Sequence, residues 1–159
     1  LVSIKDPQGF MKTKLARLQS EGNAVNLIRD SLDGVSFWHE DNAKPEVVSN
    51  ALSWKVSKAG ASILAGHPVT EGELFAASVA CRGDAEVTAN VHWRRNGAFD
   101  WNKPEFPIFF GEPDKAGWRR GAVAARVPVD IDELMIQCDC RADRERSAEV
   151  SEFSLIRLR

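Results

Sequence analysis

Hydrophobic and polar residues alternate with period two through much of this chain, and Gly and Pro break it into short pieces. Val87, Ala89, Val91 and Trp93 share one face of a predicted strand, with Thr88, Asn90, His92 and Arg94 on the other. Val123, Ala125 and Val127 alternate with Ala122, Ala124 and Arg126, ending at Pro128. Leu134, Ile136 and Cys138 alternate with Met135, Gln137 and Asp139. Leu74 to Cys81 is framed by Glu71-Gly72 and Arg82-Gly83-Asp84, and Phe153 and Leu155, followed by Ile156 and Leu158, form a closing strand. Such alternation is the mark of sheets with one face buried. Earlier strands are predicted at Met11–Leu18, Ala24–Ile28, Val35–His39, Ala51–Val56 and Ala61–Leu64. The stretch Gly9–Glu21 also holds good helix formers, so a short helix competes with a strand there. Asn96–Gly117, with three prolines and three glycines, reads as one extended loop. No other stretch carries a 3.6-residue period, so the chain reads as all-β: an antiparallel sandwich or barrel of short strands.

The 159 residues are enough for one domain whose core needs no disulfide or metal to form. No apolar run is long enough to cross a bilayer as a helix, and no basic leader with an apolar stretch opens the sequence. Starting at Leu1 rather than Met, it reads as a processed protein or an excised domain. The net charge of -2, from 21 basic and 23 acidic residues, argues against nucleic acid or an anionic membrane as partner. Cys81, Cys138 and Cys140 are too few for a disulfide framework. Buried thiols, a single disulfide, and metal or redox chemistry all stay open. Enzyme signatures such as G-x-S-x-G, a P-loop or H-E-x-x-H do not occur, and His39, His67 and His92 are scattered.

Several pieces, in order, carry a resemblance. They are Asn26-Leu27-Ile28-Arg29-Asp30-Ser31-Leu32-Asp33-Gly34, then Trp38, then Val69–Val79 with its Glu71-Gly72-Glu73-Leu74-Phe75 entry. Gly117-Trp118-Arg119-Arg120 leading into Ala122–Pro128 follows, and Val150-Ser151-Glu152-Phe153-Ser154-Leu155 closes the series. From Asn26 to the C terminus the chain resembles jelly-roll carbohydrate-binding modules of the type 4, 9, 16 and 22 group, a galactose-binding-like β-sandwich. The resemblance divides a single domain spanning 1–159 into a jelly-roll core, 21–159, and an N-terminal extension or extra strand, 1–20, outside the match. It implies two packed antiparallel sheets. It also implies a non-catalytic module that binds a polysaccharide or oligosaccharide and serves as accessory domain to the catalytic domain of a larger secreted bacterial glycoside hydrolase. The implied location is extracellular or periplasmic. A structural calcium between the first and last strands is implied too, with Asp33 at the matching acidic position; Ser151-Glu152 stands where the pattern has two aspartates, leaving Glu152 as the second candidate ligand.

Sugar binding needs a flat aromatic for the C–H face of the ring and planar polar groups for its hydroxyls. Trp101, in a polar turn-rich segment, is the first candidate platform, with Phe99 two residues away. Trp54, Trp93 and Trp118 read as packing residues, whereas Trp38 divides evenly between core and site. Asn90, His92 and Arg94 project together, and Arg126, Gln137 and Asp139 project from the non-core faces of their strands. If those strands are neighbours, they form one polar patch. The two arginines favour an acidic or sulfated glycan over plain cellulose, because a guanidinium fork matches carboxylate and sulfate oxygens. Two rival functions are a structural or protein-interaction sandwich without glycan binding, and a small lyase or hydrolase on a jelly roll.

Overall fold

A computed structural model describes residues 24–26, 35–38, 45–48, 51–56 and 61–158, with backbone only at 24–26 and 35–38. Twelve strands follow one another among them: β1 (Ala24–Asn26), β2 (Val35–Trp38), β3 (Glu46–Val48), β4 (Ala51–Val56), β5 (Ala61–Pro68), β6 (Leu74–Gly83), β7 (Glu86–Arg95), β8 (Ala98–Phe99), β9 (Phe106–Ile108), β10 (Arg119–Arg126), β11 (Glu133–Arg141) and β12 (Arg146–Arg157). All pairings are antiparallel. One sheet runs β10-β6-β12-β4-β3, with β1 also on β12; the other runs β2-β5-β11-β7-β8, with β9 also on β7. The described residues contain no helix, and so none long and apolar enough to cross a membrane. The all-β sandwich read from the sequence is the observed architecture.

The two sheets bury their facing side chains against each other. Leu52, Trp54, Phe75, Val79, Val123, Val150, Phe153 and Leu155 come from the first sheet; Ile63, Val91, Trp93, Leu134 and Ile136 come from the second. Apolar area removed from water, at roughly 25 cal/mol per Å², is what drives this closure. Strand β6 departs from the one-face rule. Its outward Ala76, Ser78 and Ala80 are as buried as its inward residues, together with Ala122, Ser154 and Ile156 on neighbouring strands. Ser78 and Ser154 satisfy each other there, hydroxyl to hydroxyl at 2.8 Å.

Cys138 and Cys140 lie in the core, and all three cysteines are free and buried. Burial pushes the Cys81 thiol up to about 11 and that of Cys140 up to about 12, and raises that of Cys138 well above its ordinary value. At neutral pH these thiols stay protonated, which leaves them poor nucleophiles and poor metal ligands.

Two sequence expectations change. The segment 96–117 is not one loop, because Ala98–Phe99 and Phe106–Ile108 both return to pair with β7. The last strand begins at Arg146, not near Phe153. At Ser151/Ser154 its register shifts in a bulge, and Glu152 takes a φ of 52°. The bulge moves the buried series from Ala148 and Val150 to Phe153 and Leu155, so a strict two-residue period breaks in mid-strand. The strand or helix expected in the first twenty-odd residues lies outside the described residues.

Candidate functional site

The second sheet turns a polar face away from the core, and its register sets the rows. Arg94 stands opposite Glu133, His92 opposite Met135, Asn90 opposite Gln137, and Thr88 opposite Asp139. On the far side of β11, Gln137 meets Leu64 and Asp139 meets Ser62. Trp38 stands opposite Ser62 in the backbone register, in line with Asp139. The expected neighbourhood of Asn90, His92, Arg94, Gln137 and Asp139 is therefore real. Asp139 accepts from Gln137 Nε2 at 3.0 Å and from the Ser62 hydroxyl, which fixes the middle of the face.

A tight turn builds the aromatic end of this face. Asn96 and Gly97 both have positive φ, 50° and 80°, the conformation a two-residue hairpin needs and one that Asn-Gly supplies cheaply. The turn brings Phe99 back opposite Arg94. Phe99 then lies in a stack. The Arg94 guanidinium carbon is 5.3 Å from its ring centre, and Trp101 is 4.8 Å away at an interplanar angle of 16°. These two neighbours occupy Phe99, so it backs Trp101 rather than offering a second platform. Trp101 has one face on Phe99 and is 67% exposed. His92 meets its ring edge-on at 5.4 Å.

The loop beyond is pinned from below. Buried Trp93 donates its indole N–H to the Pro104 carbonyl at 2.8 Å, and the Asp100 N–H bonds the Trp93 carbonyl at 3.0 Å. Trp93 and Trp54 are core residues, as their strand faces predict, each being 2% exposed. Trp118 is half-buried on the surface, under the Arg82 guanidinium at 4.7 Å.

Trp101 stands between two recesses. The larger, about 440 Å³, is lined by Arg95, Ala98, Phe99, Asp100, Trp101 and Asn102. The smaller, about 300 Å³, is lined by His92, Trp93, Asp100, Trp101, Lys103 and Glu105. Both fall within or near the ~300–1,000 Å³ of small-ligand sites. His92 is 7% exposed, and its Nδ1 lies 3.5 Å from a Glu105 carboxylate oxygen. Burial lowers the His92 pKa from its ordinary value, with Glu105 and Asp139 pulling it partly back. The imidazole is accordingly neutral at pH 7 and can both donate and accept.

Other expected site residues stand elsewhere. Arg126 is on β10 in the opposite sheet, where it donates to the Gly72 carbonyl at 2.8 Å; the single patch that was to include it does not form. Arg94 is on the right face, but its fork is engaged by Glu133 at 3.4 Å and by the Gly97 carbonyl. Asp33 lies outside the described residues. Glu152 does not fit a calcium ligand, because Arg120 Nε and one terminal nitrogen take its two oxygens at 2.8 and 3.0 Å. Among the described residues no group of three or more His, Cys, Asp or Glu gathers as a metal site. The residues that sequence reading missed are Arg95, Asp100, Lys103 and Glu105. They sit at the end of β7 and in a segment without periodicity, and only the return of β8 and β9 to β7 assembles them.

No protein-family model and no curated protein sequence matches the chain. Solved structures do. The CBM22-1–GH10 modules of Clostridium thermocellum endo-1,4-beta-D-xylanase 10B, solved with xylohexaose, align with a TM-score of 0.61 at 11% identity, over 84% of this chain and 28% of that one. The CBM22-1 xylan-binding domain of Paenibacillus barcinonensis Xyn10C aligns at 0.57 and 12% identity, over 86% and 93% of the two chains. The enzymatically active domain of bacteriophage CBA120 tailspike protein 4 aligns at 0.55 and 13% identity, over 98% of this chain. This chain spans only 21% of the tailspike chain but nearly the full length of the isolated xylan-binding module. A CBM4 structure aligns at 0.58 over 84% of this chain and 94% of that one. The chain has the jelly-roll sandwich fold of carbohydrate-binding modules such as CBM4 and CBM22.

Proposed function

We propose that the chain is a non-catalytic carbohydrate-binding module that holds a polysaccharide-degrading enzyme on its polymer. Bound glycan lies with a C–H face on the open side of Trp101. The observation that carries this reading is the Arg94–Phe99–Trp101 stack, which holds a 67%-exposed indole at the edge of a polar sheet face. A large ring left in water is unfavourable unless it meets a partner, and a backed, rotationally fixed ring meets a flat partner at low entropic cost. Lys103 and Glu105 in the smaller recess supply one donor and one acceptor for neighbouring hydroxyls. Neutral His92 supplies both.

The likeness to modules solved beside or apart from a catalytic domain supports an accessory role. Linkage to such a domain raises the local concentration of catalyst on the polymer without any chemistry in this chain. Work on an extracellular polymer implies an extracellular or periplasmic location. The test is affinity electrophoresis through gels containing soluble xylan, mixed-linkage glucan, galactan or galacturonan. At least one polymer retards the chain, and Trp101→Ala abolishes the retardation while the melting temperature stays within a few degrees. Equal retardation of Trp101→Ala would overturn the platform.

A further inference from the structure

We infer that the larger recess beside Trp101 is built for an acidic sugar, and that Arg95 is the residue that recognises its carboxylate. This rests on the reading of Trp101 as the glycan platform. Arginine does select the ligand's charge in this account, but Arg94 and Arg126 are not the residues that do it. Arg94 donates to Glu133 and Gly97 and lies over the Phe99 ring, and Arg126 stands on the opposite sheet, where it donates to Gly72. Arg95 differs. It ends β7 opposite Ala98, where the strand leaves the sandwich at the Asn96-Gly97 turn. A side chain that would point into the core from mid-strand therefore comes free at the edge and is exposed. It makes no ion pair or hydrogen bond among the described residues, while it lines the recess that also contains Phe99 and Trp101.

The chemistry of the lining fits a uronate. Arg95 offers a planar fork that matches the two oxygens of a carboxylate. The Asn102 amide adds a donor and an acceptor for ring hydroxyls. Asp100 is the acid lining this recess, and one of its oxygens already accepts the Asn102 N–H at 3.1 Å. Glu105 lines the smaller recess instead, on the His92 side of the indole. Lys103, also without an ion pair among the described residues, adds a second positive charge there. A sugar on Trp101 thus has hydroxyl-binding groups on one side and a free guanidinium on the other.

The experiment is calorimetric titration of the intact chain with galacturonan oligomers in two forms, free acid and fully methyl-esterified, at low and high salt. The two ligands share a backbone and differ only at the carboxyl group, an anion in one and a neutral methyl ester in the other. The acid form binds about tenfold tighter at low salt, and the advantage shrinks as salt screens the exposed pair. Arg95→Gln brings the ratio of the two affinities close to one, and Arg95→Lys, which keeps the charge but loses the fork, gives an intermediate ratio. Binding of both forms with equal affinity, or a ratio unchanged in Arg95→Gln, would overturn the role of Arg95 and leave the platform standing. Binding of neither form, with no retardation by any neutral polymer, would overturn the platform and this inference with it.

Discussion

The indole N–H of Trp93 reaches the carbonyl of Pro104 at 2.8 Å, and through that bond a core residue of the sandwich holds the loop that presents Trp101. The core and the candidate site are therefore mechanically one unit. The Trp93 ring also meets Phe106 edge-on at 5.8 Å, which seats β9 beside β7.

Trp93→Phe keeps an aromatic in the core but removes the donor and leaves a void. We expect a loss of about 2–4 kcal/mol in unfolding free energy, from the cavity and the unpaired carbonyl. Glycan affinity falls as well, because the 100–105 segment loses its anchor. Urea melts and calorimetry on the same variant check both. Retention of full affinity in a destabilised variant would show that the loop does not depend on this bond.

The outer face of the first sheet holds a second test. Arg120 bridges Asp114 at 2.8 Å and Glu152 at 2.8 Å, tying the loop before β10 to the bulge of β12. The guanidinium already supplies the positive charge at Glu152. Melting temperature should therefore be the same with calcium and with a chelator, and Arg120→Met should lower it by a few degrees by removing the bridge between Asp114 and Glu152. The hydrogen bond from Arg120 holds the Asp114 carboxyl below its usual range. A depressed carboxyl contributes stability above its unfolded value, about 3.9, and loses it as pH falls through the folded value. This acid-linked component should be smaller in Arg120→Met, read as shallower stability loss below about pH 4.

His92 gives a prediction of the same sign by a different route. Burial disfavours its charged form, so its pKa in the fold lies below the ordinary value of about 6.5. Unfolding then takes up a proton as pH falls, and stability present above pH ~6.5 is lost through the window between the unfolded and folded values. His67 is shifted down by burial too, against the pull of Glu73, and contributes in the same direction. NMR titration of the His92 ring should show a midpoint below 6.5, and Glu105→Gln should move it lower still. A midpoint above 6.5 would mean that Glu105 and Asp139 outweigh burial.

Alternation made the strands legible wherever one face is dry and the other wet. Ala51–Val56 has the same ends in sequence and structure, and Val87 to Trp93 divides into faces as expected. Where alternation stops, so does the strand signal. β12 slips phase at its bulge, and β6 is buried on both sides, so it carries no polar stripe to mark its faces. At the site, Trp101 was legible as an apolar ring among turn residues. Phe99 was legible as its neighbour but not as its backing, since a stack with Arg94 depends on the hairpin register. Arg126 was misassigned because period two says which face a residue takes but not which sheet its strand joins. Arg95, Lys103 and Glu105 carry no local pattern.

The most direct measurement follows the tryptophan indole N–H signals of the chain by NMR while an oligosaccharide from a retarding polymer is added. The account predicts that the Trp101 resonance shifts and saturates with the binding curve, while the signals of the buried Trp54 and Trp93 move far less. A saturating shift centred on Trp118, with Trp101 unmoved, would contradict it.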